Sequence, residues 1–247
     1  MEIKLYKGKV KINFAEKDWN GKKIHKYTDS KGNKIESVTG ITGLLDKSTP
    51  LMIWATRMMG DYILDYYSGQ VITPDIIETA KKQWREAKEK AADIGSAIHE
   101  WVEQKIKGLE PEIPQEEKVR NGAIAFLKWM KTHDIKFKET ERIVYSKKYN
   151  YVGRCDWFGK EGKTWIIGDH KSSKGIYNEM RYQLAAYWNA SEEERIAEFE
   201  KGIIVKYGKE DGEFETLEIS RREYLKDREA FLGLLQTKRR EIELKKD

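Results

Sequence analysis

The sequence predicts an α/β fold in which a helix, three antiparallel strands, a second helix and a further strand follow one another, preceded by a hairpin and helical N-terminal half. Three observations lead there. Apolar residues recur at helical spacing from about residue 40 to 133, the pattern changes to strict alternation from about 135, and tight-turn signals punctuate the alternating stretches. No internal repeat, long linker or low-complexity tract interrupts the 247 residues.

Taken in order, residues 2–38 alternate apolar and polar positions, as at Val10, Ile12 and Phe14, around turn signals at Asn20-Gly21 and Lys31-Gly32-Asn33, which predicts short hairpin strands. Residues 40–69 read as helix, with Leu44, Leu51, Trp54, Met58 and Ile63 as apolar anchors. Thr73-Pro74 is a helix start, because the N–H that proline lacks would be unpaired there in any case. From it one helix or a pair runs to about Lys107, with an inward stripe of Ala87, Ala91, Ile94, Ile98 and Trp101/Val102, and Pro111 and Pro114 break it. A helix over about 115–133 buries Val119, Ala123, Phe126 and Met130. Strands follow at 135–147, 150–159 and 163–171, then a helix over 175–190 with Ile176, Met180, Leu184 and Trp188 inward. Strands at 201–207 and 213–219 flank an Asp211-Gly212 turn, and a helix from about 220 buries Leu225, Leu232, Leu235 and Ile242. The expected division is a hairpin and helical region over 1–85, an arch or lid, and a core over 86–247 that includes the C-terminal helix.

Composition narrows the function classes. With 39% hydrophobic residues, 8 Trp and 13 Tyr the chain can fill a sizeable core, which excludes intrinsic disorder. No apolar run approaches the 18 or so residues of a membrane span, so no membrane partner is expected. The N-terminus lacks the apolar segment of a secretory signal. Cys155 is the single cysteine, which excludes an internal disulfide, a cysteine zinc site and a four-cysteine iron–sulfur cluster, and a reducing cytoplasm is the expected setting. Any metal must then sit on His, Asp or Glu. Residues 1–50 carry a net charge of +5 and residues 221–247 one of +3, leaving −3 for the middle. Basic ends around an acidic middle suit a carboxylate site approached by a polyanion, and equally an ordinary lysine-rich surface. Gly162-Lys163-Thr164 lacks the earlier glycine of a phosphate-binding loop and lies in a hairpin, so no ATP is expected.

The alternation groups charged residues on one sheet face. With the hairpin centred on Glu161-Gly162, Asp156 lies opposite Ile167, and Asp169 becomes its diagonal neighbour on the same face, with Lys171 two residues beyond. Diagonal Cβ atoms lie roughly 7–8 Å apart, close enough for one hard cation to reach both carboxylates. A turn centred on Lys148-Tyr149 sets Glu141 opposite Asp156. The competing reading is a solvated face of Asp–Lys pairs, against which stands the apolar run Thr164 to Gly168 leading into Asp169. On the preceding helix Gly95, His99 and Glu103 share one face. A helical glycine costs about 1 kcal/mol relative to alanine, so a close approach is expected at Gly95. A lone His at a core margin is by itself more often structural than a ligand. Cys155, on the face opposite Asp156, reads as core, and Trp54, Tyr177 and Tyr187 are the better placed aromatics for base stacking.

Gly95-x-x-x-His99, Gly153-Arg154-Cys155-Asp156, Ile167-Gly168-Asp169-His170-Lys171-Ser172-Ser173 and Gln183-x-x-x-Tyr187, in this order over residues 90–210, resemble the RecB-like branch of the PD-(D/E)XK nuclease superfamily. Glu36 to Thr42 and Leu51 to Trp54 more loosely resemble the N-terminal segment of the mitochondrial genome maintenance exonucleases and their phage-type relatives. The resemblance implies a restriction-endonuclease-like αβββαβ core with a mixed sheet. It implies His99, Asp156 and Asp169 as ligands of Mg²⁺ or Mn²⁺, with the main-chain carbonyl of His170 completing the shell. Lys171 would orient or deprotonate the attacking water, Glu141 or Glu103 could hold a second ion, and Gln183, Tyr187, Ser172 and Ser173 would face DNA or brace the site. Ser172 stands where Thr is more usual, and His170 where an aromatic or aliphatic residue is; its side chain is expected to pack rather than catalyse. Relatives with an iron–sulfur cluster carry four cysteines that this chain does not have. The implied activity is a metal-dependent deoxyribonuclease, an exonuclease on DNA ends or single strands, in DNA repair, recombination or phage DNA processing in a bacterial or phage-infected cell. A structure-specific endonuclease, a non-catalytic nucleic-acid-binding module on the same scaffold and a hydrolase of small phosphoesters are the alternatives.

Overall fold

The computed structural model describes residues 1–19 and 22–245. The Asn20-Gly21 turn signal lies outside the described residues. Four strands, β1 (Glu2–Leu5), β2 (Val10–Trp19), β3 (Lys22–Asp29) and β4 (Lys34–Ser37), form an antiparallel meander. Helices α1 (Val38–Thr42), α2 (Ser48–Tyr67), α3 (Pro74–Ile106) and α4 (Glu117–Thr132) follow. Then come β5 (Ile135–Ser146), β6 (Tyr151–Glu161), β7 (Thr164–Lys171), α5 (Asn178–Glu193), β8 (Lys201–Tyr207), β9 (Phe214–Ser220) and α6 (Arg221–Leu244). The stretch α4-β5-β6-β7-α5-β8 is the αβββαβ arrangement of a restriction-endonuclease-like core. Its sheet is mixed, β7 running parallel to β8 and antiparallel to β6.

Local chemistry sets the helix ends. The Thr73 hydroxyl accepts from the Ile76 N–H at 3.4 Å ahead of Pro74, and the Glu116 carboxylate accepts from the Val119 N–H at 2.7 Å. The Ser220 hydroxyl caps α6 through the Glu223 N–H at 3.3 Å. Both faces of the central strands are buried, so consecutive residues serve different layers. Ile166, Ile203 and Val205 pack with α3 and α4, whereas Ile167 and Ile204 pack with α1, α5 and α6. A third cluster joins the meander to β6 through Leu5, Ile12, Tyr27, Ile35 and Val152.

Three expected faces differ. No residue of α2 is buried, Leu51 remaining 40% exposed, because that helix packs mainly on α3 and has no sheet beneath it. On α3 the side chains packed in the sheet core begin at Ile94; Ala91 is exposed and Ala80 alone is buried before it, since that part of the helix packs on α2. On α6 the buried side chains are Tyr224, Asp227, Phe231 and Leu235 rather than Leu225, which is 42% exposed. Stacking of Tyr224 on Trp188, at 4.2 Å between ring centroids, fixes the rotation of α6.

The topology leaves one opening. Strand β5 covers one edge of β6 from Tyr151 to Glu161, and the other edge is divided, β7 taking Trp157 to Glu161 and β4 taking Tyr151 and Val152 in parallel. Residues 153–156 lie in the gap between those two partners.

Candidate functional site

The gap places Asp156 where β6 and β7 part. Glu161 pairs with Thr164 across a two-residue turn whose first position, Gly162, has φ +59°, a conformation that glycine adopts without strain. The turn therefore sits one residue later than the sequence suggested, and the paired positions move by two. Trp157 faces Gly168, so the next step sets Asp156 opposite Asp169 rather than diagonal to it. The face is unchanged, since a shift of two preserves alternation. In place of a ladder bond, the His170 N–H donates to Asp156 Oδ2 at 2.7 Å.

Around this carboxylate pair stand two cations or cation ligands. Lys171 Nζ forms an ion pair with Asp169 Oδ2, and His99 Nδ1 comes from α3 to 4.0 Å from Asp156 Oδ2. Asp169 is fully buried and its Oδ1 has no hydrogen-bond partner. Burial raises the Asp169 pKa to about 7, with Asp156 adding to the rise and Lys171 opposing it. Burial also raises Asp156, against Lys171 and the His170 N–H. On Lys171, burial disfavours the charge, but the two carboxylates outweigh it and raise the pKa, so it is an ammonium. Burial and the charge on Lys171 bring His99 down to about 4, leaving a neutral imidazole near pH 7.

Glu141 faces the same place. Thr140 pairs with Trp157 and Arg142 with Cys155, which sets Glu141 across from Asp156, with its backbone at φ +52°. Burial and then Asp156 raise its pKa to about 7, and its Oε2 forms an ion pair with Arg154 Nε at 2.9 Å. Glu103 lines the same cleft and is paired with Lys107.

The bracing residues divide. Tyr187 is 2% exposed, its ring filling the space above Gly153, and its hydroxyl accepts from Gln183 Nε2 at 2.7 Å. It props the cleft floor, which corrects the expectation of a direct DNA contact or base stacking; Gln183 is the more accessible member. Ser172 lines the cleft and its Oγ lies 2.7 Å from where a Gly95 Cβ would stand, so the close approach expected at Gly95 is that of this hydroxyl. Ser173 does not line it; its hydroxyl donates to the Gly175 carbonyl at 2.7 Å and closes the loop after β7. Trp54 packs edge-on against Trp84, and Tyr177 precedes α5; neither lines the cleft. The His170 ring points away from Asp156, stacks on Trp157 at 5.9 Å and shares a 2.7 Å hydrogen bond with the Tyr207 hydroxyl. Burial holds it well below the ordinary histidine range. Cys155 is buried and its thiol pKa is raised by that burial.

The cleft encloses about 1000 Å³. Beyond the expected residues it is lined by Arg154, by His25 and Tyr27 of β3, and by Ser37 to Gly40 at the start of α1. Arg154 was legible as the residue two before Asp156 on one strand face. The N-terminal wall was not, because it depends on the parallel pairing of Glu36 and Ser37 with Tyr151 and Val152, more than a hundred positions away.

Among the described residues, no three His, Cys, Asp or Glu side chains close on a common point. Of the expected ligands His99 meets Asp156, while Asp169 meets Lys171 instead, so the three expected ligand side chains are not seen as a closed shell. The donors still fit a hard divalent cation in kind. Two carboxylates, one of them fully buried, stand against one ammonium, the Asp169 Oδ1 is orphaned, and a neutral imidazole stands beside them.

No family model matches the chain, and no curated protein does. Among solved structures, an alkaline exonuclease (LHK-Exo) from Laribacter hongkongensis is similar over 63% of this chain and 90% of its own, at 13% identity and a TM-score of 0.34. The structure of LHK-Exo in complex with dAMP is similar over 61% and 83%, at 16% identity and a TM-score of 0.33. No family is assigned on these likenesses.

Proposed function

We propose that this chain is a metal-dependent deoxyribonuclease, an exonuclease that hydrolyses phosphodiester bonds at DNA ends or on single-stranded DNA. The observation that supports it most is the pair of acids, Asp169 buried and Asp156 opening onto the cleft, set face to face with Lys171 where two strands part. Two carboxylates and one ammonium in a buried place are a poor structural device, since each charge costs solvation and one acid stays uncompensated.

In this reading His99, Asp156, Asp169 and the His170 carbonyl hold Mg²⁺ or Mn²⁺. The ion when bound supplies Lewis acidity toward the phosphate and lowers the pKa of a water. The protein's own part follows from the charges described above. Lys171, kept protonated, orients the attacking water and offsets charge on the non-bridging phosphate oxygens, rather than taking the proton itself. The Asp156 carboxylate is held by the His170 N–H, so it presents a fixed oxygen, and Tyr187 under Gly153 keeps that strand segment in place. Gln183 and Ser172 offer polar contacts to the strand along the cleft. Water oxygen bonds to phosphorus and gives up one proton to solvent as the bond to the 3′ oxygen breaks, and that oxygen takes up a proton from solvent, leaving a 5′-phosphate and a 3′-hydroxyl.

The test offers end-labelled linear DNA, single and double stranded, beside a closed single-stranded circle, with and without Mg²⁺. Release of label from linear DNA only when the ion is present, with the circle intact, is the expected result. Asp169→Ala or Lys171→Ala should abolish it while leaving the circular dichroism spectrum unchanged. Undiminished cleavage in either variant overturns the assignment, and cutting of the circle replaces the exonuclease with an endonuclease.

A further inference from the structure

Beside the catalytic cleft lies a second hollow of about 400 Å³, and the two share His25, Tyr27, Ser37 and Gly40 as a common wall. They lie on either side of that wall and differ in charge. Glu100, Glu103, Glu141 and Asp156 against Arg154 alone make the cleft acidic. The hollow is lined by Lys17 from β2, Lys26 from β3, Lys34 from β4 and Lys238 from α6, against Glu36 alone. Lys34 and Glu36 pair at 2.8 Å, so Lys17, Lys26 and Lys238 leave the lining positive. Four lysines drawn from three strands and the C-terminal helix are brought together by the tertiary fold and not by a local run of sequence. Arg239, next to Lys238, anchors that part of α6 by donating to the main-chain carbonyls of Tyr149 and Asn150 in the β5–β6 turn.

Resting on the deoxyribonuclease reading, we propose that this lysine-lined groove carries the phosphodiester backbone of the single strand that flanks the bond being cut. The acidic cleft alone repels a polyanion, and affinity for the strand has to come from outside it. A basic groove sharing the cleft wall supplies that attraction within a step or two of the reacting phosphate.

The experiment measures binding of a labelled single-stranded oligonucleotide to the full chain, with chelator present to prevent cleavage, across a range of salt. The variants are Lys17→Gln/Lys26→Gln/Lys238→Gln and, as a control of equal charge change at the far hairpin end of the sheet, Lys136→Gln/Lys160→Gln/Lys163→Gln. Each phosphate contact adds about 0.7 to the salt slope for a single strand, so losing three lowers it by about 2. Between about 50 and 200 mM salt the gap in affinity between wild type and the groove variant then narrows roughly 16-fold. The control keeps the wild-type slope. Lys238→Glu alone, on the surface of α6, should weaken binding in the same salt-dependent way, which covers the case in which the triple variant loses its fold. Equal slopes for wild type and the folded groove variant, or an equal fall in the control, overturn the groove and leave the nuclease reading standing. A wild-type chain that binds no DNA at either salt sinks both, whereas binding with the predicted slope change but no Mg²⁺-dependent cleavage sinks only the catalytic assignment.

Discussion

Gly168 has no side chain because Trp157 occupies the space one would need. A Cβ at Gly168 would overlap Cζ2 and Cε2 of that indole, which is buried and stacked on His170. The main-chain N–H of His170 in turn holds Asp156. Geometry at the carboxylate therefore depends on a glycine that faces the other layer. Gly95 makes a useful contrast, since its added Cβ would meet only the Ser172 hydroxyl at 2.7 Å, the end of a side chain that can rotate. Overpacking a rigid core costs about 1–3 kcal/mol and sometimes more, and for a chain of this size each kcal/mol shifts Tm by roughly 2–4 °C. Gly168→Ala should accordingly lower Tm by several degrees and impair cleavage. Gly95→Ala should stay close to wild type, because the gain in helix propensity, about 1 kcal/mol, offsets the displaced hydroxyl. Paired thermal melts check this; equal losses in the two variants contradict it. The glycine at position 95 was interpretable from the sequence because helices penalise glycine. The one at 168 was not, as strand glycines carry no sign of which ring lies above them.

Among the elements, the meander β1–β4 is tied to the core by a latch distant from the cleft. The Tyr6 hydroxyl donates to the Tyr145 carbonyl at 2.9 Å and accepts from the Lys147 N–H at 3.2 Å, while the Tyr6 N–H donates to Glu194 Oε1 at 3.0 Å. Arg142 Nη2 meets the same carboxylate oxygen at 3.0 Å. Burial raises the Tyr6 pKa to about 12, the Lys147 N–H opposing it and Glu193 and Glu194 adding to it. A raised acid favours the neutral form in the folded state. Its contribution is complete below pH 10, where the unfolded phenol is also neutral, and is lost as pH rises through about 12. Tyr6→Phe should therefore be less stable than wild type to urea at pH 8, and the two midpoints should converge above pH 10; a constant difference denies the latch this role. Sequence patterns revealed these elements unevenly. The loop between β5 and β6 came out in register because alternation on both sides constrained it. The β6–β7 hairpin slipped by two because Gly162 can occupy either central turn position and both choices preserve the buried face. Helix α2 showed an apolar period, but periodicity does not report whether a partner exists to cover it.

At the scale of the whole molecule, the candidate cluster was foreseeable to the extent that it is a property of alternation: Asp156, Asp169 and Lys171 share a face whichever even shift the hairpin takes. The walls of the cleft were not, since they combine β3, α1 and α3 through contacts with no local signature. The assembled cluster has a consequence for stability. Asp169 is fully buried and Asp156 and Lys171 largely so, two acids against one ammonium, and folding without a further cation leaves one charge uncompensated. A protein so arranged gives up stability for its site, and relief should come by either of two routes. Asp169→Asn removes the excess charge while nearly preserving shape, and Asp156 remains to balance Lys171. That variant should melt higher than wild type in chelator at pH 8 while losing cleavage. Mn²⁺ should stabilise the wild type instead, by about 2.7 kcal/mol at a hundredfold excess over its dissociation constant, a shift of roughly 5–10 °C. The Asn variant should gain far less from the ion, having lost a ligand. Melting both chains with chelator and with Mn²⁺ separates the two routes. A wild type indifferent to the ion, or an Asn variant that melts lower in chelator, shows that the buried acids are satisfied by Lys171 alone and that no ion belongs among them.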